Sequence, residues 1–94
     1  MTSPNQQRVL ELHNRMLLSA ETFSFRWGMD AVAIAAICGV SKSSASHWLG
    51  GRTSRRIPAV AYQRILAVAD FLLANADRVQ PLLERWQRSE GSEN

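Results

Sequence analysis

From Asp30 to Leu49 the chain reads DAVAIAAICGVSKSSASHWL, the pattern of two short helices joined by a tight turn. Asp30 suits an N-cap, its carboxylate close to the exposed N–H groups of the first turn. Gly39 stands where the chain must leave that helix, and a residue without Cβ adopts a left-handed backbone cheaply. Val40 follows as an apolar plug, and Ser41 caps a second helix over Lys42–Leu49.

Spacing makes this stretch specific. Ala31, Ile34, Ala35 and Cys38 share one face of the first helix at steps of three and four. Ala35 lies four residues before Gly39, where a small side chain lets the second helix approach closely. On that second helix Ala45 and Trp48 face the same core, with Leu49 at its margin. The opposite face carries Lys42, Ser43, Ser46 and His47, all polar and mostly small. An apolar back with a short, hydrogen-bonding front fits a DNA major groove without steric cost.

At these residues the chain resembles the helix-turn-helix of phage-repressor (Cro-like, XRE-type) DNA-binding proteins. The matching pattern is Ala35, then Cys38-Gly39-Val40-Ser41, then the run Ser43 to Trp48, within a region from Met29 to Leu73. The resemblance implies sequence-specific binding of double-stranded DNA with 42–49 as recognition helix. Lys42, Ser43, Ser46 and His47 would then meet base edges. Ser41, Arg52, Thr53, Arg55, Arg56 and Arg64 would hold phosphates.

Length and composition agree with an all-α, single-domain bundle of about five helices containing that motif, since 94 residues at 46% apolar content supply one core and not two. Three prolines and five glycines leave little room for a sandwich or barrel. The domain is expected to span 1–94, with 1–3 and 89–94 disordered. A single cysteine, Cys38, excludes an internal disulfide, and its apolar neighbours point to a buried thiol in a reducing compartment. Neither histidine, His13 or His47, stands at a ligand spacing, so no metal and no cofactor is expected.

The net charge of +3 says less than its distribution. No acidic residue occurs between Ala31 and Ala69, whereas Lys42, Arg52, Arg55, Arg56 and Arg64 all fall there. Such a centre could be a solvated basic loop; beside the polar-fronted helix it reads as an electrostatic footprint for nucleic acid. The opening MTSPNQQR is too polar for a signal peptide, and the longest apolar run, Ala31–Val40, is too short to span a bilayer. A soluble, cytoplasmic, nucleoid-associated protein is expected.

Before the central stretch, Ser3 and Pro4 start a helix, and apolar residues recur at Val9, Leu12, Met16, Ala20, Phe23 and Trp27, with an interruption near Ser19–Thr22. Leu10, Leu17 and Leu18 widen this stripe, which serves either a dimer contact or simple packing. Phe23, Phe25 and Trp27 read as core, and the apolar Ala31–Cys38 as a helix covered on several sides. Gly50 is expected as a left-handed stop, followed by the basic loop GGRTSRR and a helix from Ala59 to Asn75. Ala61, Ile65, Val68, Ala69 and Leu72 would form its buried stripe, with Val60, Ala67 and Phe71 as a second line. Pro81 would start a short last helix whose Leu82, Leu83 and Trp86 form a lid or a partner surface.

No catalytic constellation emerges. Ser43 or Ser44 with His47 imitates a nucleophile and base, yet lacks an orienting acid and an oxyanion site. Gly50–Ser54 lacks the lysine and the preceding strand of a phosphate loop. The chain therefore reads as a non-enzymatic small transcriptional regulator, a repressor, forming a homodimer through its terminal helices. Two other readings stay open: a DNA-binding accessory factor (phage packaging, recombination or antitoxin), or a protein-binding helical adaptor.

Overall fold

A computed structural model describes residues 2–50 and 56–91 of the chain. Expectations that rest on Gly51, Arg52, Thr53, Ser54 and Arg55, or on 92–94, lie outside the described residues. The described chain is all-helical, in the order α1 (Pro4–Asn14), α2 (Ala20–Trp27), α3 (Ala31–Cys38), α4 (Lys42–Leu49), α5 (Val60–Ala74) and α6 (Ala76–Gly91). Among the described residues no helix is long and apolar enough to cross a membrane.

Local chemistry sets most of the starts. Ser3 and Gln6 make a reciprocal capping box at α1, and Pro4 occupies the position where its missing N–H costs nothing. Ser19 caps α2 through the Thr22 amide, Asp30 caps α3 through Ala33, and Ser41 caps α4 through Ser44. The interruption expected near Ser19–Thr22 is present, separating α1 from α2, and the described residues form a small bundle of six helices. The break falls at 15–19, where Ser19 offers its side chain to a new first turn.

The core lies between α2 and α5. Ala20 and Phe23 of α2, Ile34, Ala35 and Cys38 of α3, Ala45 and Trp48 of α4, and Leu66 of α5 form one buried cluster. Phe23, Ile34 and Leu66 are fully enclosed, each contributing about 1.5–3 kcal/mol from apolar burial. Polar ties fix the α2–α5 angle. Asp70 Oδ1 accepts from Arg26 Nη1 at 2.7 Å and from the Trp27 indole at 2.9 Å. The Gln63 carbonyl accepts the Leu18 amide at 3.1 Å, pinning the link between α1 and α2 onto α5.

Several expectations need correction. Phe25 is 93% exposed, because α2 has one buried face and Phe25 lies off it. Val32 is 54% exposed, so α3 is open on one side despite its apolar sequence. On α5 the core takes Leu66 and Ala67, while Ala61, Ile65, Val68, Ala69 and Leu72 line an open groove of about 520 Å³ beside Ile37. The helix is rotated so that its expected buried stripe stands at the edge of the core.

The last helix also differs. It begins at Ala76, five residues before Pro81, which therefore lies inside α6. The Asn75 carbonyl accepts the amides of Arg78 and Val79, so this one non-helical residue separates α5 from α6. Residues 89–91 continue α6 instead of being disordered, and Ser3 is an ordered cap. Among the described residues, none of α1 or α6 is buried.

Candidate nucleic-acid interface

Gly39, Val40 and Ser41 join α3 to α4, and each has a defined part. Gly39 adopts φ 70°, ψ 34°, the left-handed conformation that side chains with Cβ disfavour. The Ala35 carbonyl accepts the amides of both Gly39 and Val40, closing the end of α3. Val40 turns its side chain onto the core. The Ser41 hydroxyl accepts the Ser44 amide and donates to Ser44 Oγ, both at 3.1 Å.

This turn orients α4. Ala45 and Trp48 are buried against α3 and α2, and the Trp48 ring packs on Tyr62 of α5, centroids 5.3 Å apart. Lys42, Ser43, Ser46 and His47 consequently stand together on the outer arc, all exposed. The helix is short, about 12 Å at 1.5 Å per residue. Its outer arc holds no carboxylate.

The end of α4 departs from the expected form. Gly50 has φ −69° and ψ 172°, an extended backbone open to any residue, and is no left-handed stop. The chain instead returns after 51–55, and the Arg56 amide donates to the His47 carbonyl at 2.7 Å. A helix-terminal carbonyl that glycine would otherwise help to satisfy is met by the far side of the loop. Arg56, itself exposed, is thereby held at the C-terminal end of α4, with Lys42 at the other end.

Of the residues expected to face phosphate, Ser41 uses its hydroxyl in the cap and Arg56 stands at the helix end. Arg52, Thr53 and Arg55 lie outside the described residues. Arg64 is placed elsewhere: half-buried on α5, it donates from Nη2 to the Asn14 carbonyl at 3.2 Å and lines the groove with His13 and Ile37. The rotation of α5 that buries Leu66 carries Arg64 toward α1, so the structure does not join it to the α4 face. One residue unmarked by sequence reasoning is Glu21, which shares a cleft with Trp48, Arg56 and Pro58. Its approach depends on α2 packing against α4, which no local pattern encodes.

Cys38 sits in the core, and burial pushes its thiol above its ordinary value of 9.0. It is therefore a neutral packing group. Among the described residues no three His, Cys, Asp or Glu side chains gather as a metal ion would require. No family model matches the chain, and neither a curated protein nor a solved structure matches it.

Proposed function

We propose that this chain is a small, non-enzymatic DNA-binding protein of the phage-repressor kind, which controls transcription by occupying a promoter. The observation that carries the reading is the exposed arc of Lys42, Ser43, Ser46 and His47 on a helix whose back is locked into the core. A helix with short side chains enters a groove about 12 Å wide, and its hydroxyl, imidazole and ammonium groups complement base edges. Arg56 at the helix end, with Arg52, Thr53 and Arg55 of the same loop, would hold phosphates and set the register. The run without acidic residues from Ala31 to Ala69 supports attraction to a polyanion.

On this reading the protein works on the nucleoid in the cytoplasm, as two copies paired through their terminal helices. The uncovered apolar faces of α1 and α6 favour a partner of some kind, and they suit the adaptor reading as well as the dimer.

Selection of DNA from a random pool by the pure protein separates the readings. A recovered palindrome supports the regulator, and enrichment without a common sequence supports an accessory factor. Recovery of no DNA would overturn the DNA reading in favour of the adaptor.

A further inference from the structure

The end of α1 is closed by residues far away in sequence. The carbonyls of Leu12 and His13 accept the amides of Arg15 and Met16, a local tightening of the last turn. The Asn14 carbonyl is served differently. The amide that would continue the helix onto it belongs to Leu18, which donates instead to the Gln63 carbonyl of α5 at 3.1 Å. In its place Arg64 Nη2 donates to the Asn14 carbonyl at 3.2 Å. Two consecutive residues of α5 thus take over the two halves of one helical hydrogen bond. A guanidinium also suits the negative end of the helix dipole.

Burial does little to fasten α1. Every residue of the helix is exposed, Val9, Leu10 and Leu12 among them, whereas the core is drawn from α2, α3, α4 and α5. A helix of 11 residues is marginal in water on its own. The Leu18 bond lies beyond residues 15–17, so it holds the chain that follows α1 and not the helix itself. The tie that reaches α1 is the Arg64 guanidinium.

We propose that α1 is a latched arm: Arg64 holds it by the Asn14 carbonyl, and when that bond parts α1 swings out on residues 15–17 and unravels while α2 to α5 stay folded. The latch rests neither on DNA binding nor on pairing between copies.

Hydrogen exchange of the full chain without DNA tests it residue by residue. In the wild type the hydrogen-bonded amides of α1 should exchange through an opening of their own, faster than those of α3 and α5. Arg64→Met keeps much of the apolar stem and removes the donor. It should speed exchange in α1 about tenfold or more, the worth of one hydrogen bond from a charged group, and leave α3 and α5 unchanged. Arg64 Nε is enclosed without a hydrogen-bond partner among the described residues, so its removal breaks no bond in the core. Arg64→Lys, which keeps a charged donor, should recover part of the protection. Faster exchange throughout the chain in Arg64→Met would make Arg64 a support of the core and overturn the latch. Amides of α1 that exchange only together with those of α3 and α5, or that are indifferent to Arg64→Met, would overturn it as well.

Discussion

The Arg56 amide and the His47 carbonyl are joined by a 2.7 Å hydrogen bond at the end of α4. This bond ties Arg56 to the last turn of α4. On the proposed reading, a guanidinium at the end of a groove-sized helix would meet the backbone that flanks the groove.

The first prediction concerns salt. If a dimer neutralises about six to eight phosphates, log affinity should fall against log salt with a slope of about −5 to −7. Arg55→Ala with Arg56→Ala should weaken binding to all sequences alike and make that slope shallower. The backbone bond to His47 survives either substitution, so stability should hold. Unchanged affinity and slope would remove the loop from the DNA surface.

A second prediction separates two glycines that look alike in sequence. Space around Gly39 is open, with no atom within 4 Å of an added Cβ, so only its positive φ resists substitution. Gly39→Ala should therefore cost about 1–2 kcal/mol, the strain of the left-handed conformation. Gly50, at φ −69°, carries no such strain, and Gly50→Ala should be better tolerated. Urea unfolding of both variants measures the difference, and equal losses would contradict it.

Core and surface divide on α4 itself. Trp48 is 7% exposed and stacks at a tilt on Tyr62, so Trp48→Ala should lose about 3–5 kcal/mol of stability. His47→Ala keeps the backbone carbonyl that Arg56 uses and should leave stability nearly unchanged while altering DNA binding. Ready quenching of Trp48 fluorescence in the folded protein, with Trp27 and Trp86 replaced, would contradict its burial.

Where a structural choice is local, the residues declare it. Ser3, Asp30 and Ser41 each cap a helix through an amide three residues on, and that partner lies within the same few residues of sequence. Gly39 and the two faces of α4 are readable for the same reason. Gly50 is not, because what ends α4 is an amide six residues beyond it in sequence. The α5 stripe fails differently. That helix is apolar on more than one side, and periodicity cannot say which side meets α2 and α3. Leu66 is the side chosen, and Arg64 goes with the rotation. Pro81 reads as a helix start because proline favours that position, yet the turn at Asn75 has already started α6. Of the candidate site, the outer arc of α4 follows from its own spacing, whereas Glu21 arrives only through packing.

The last prediction concerns base preference. Lys42 is the first residue of α4, at the end that enters deepest when a helix is presented N-terminus first to the groove. Its ammonium is a point donor suited to the O6 and N7 acceptors of guanine. Each half-site should thus contain a guanine whose replacement costs about 1–3 kcal/mol, and Lys42→Ala should erase that preference. Ser43 and Ser46 both donate and accept, so their substitution should change discrimination only weakly. Lys42 is exposed and outside the cap, which leaves its removal without a structural effect to confuse the reading. With two paired copies, the half-sites should be inverted and about 34–36 Å apart, or a multiple of that. Comparing the sequences selected by wild type and by Lys42→Ala decides the matter. A variant that keeps the wild-type preference at every position would remove Lys42 from the base-reading face, whereas a single asymmetric site would discard only the twofold arrangement.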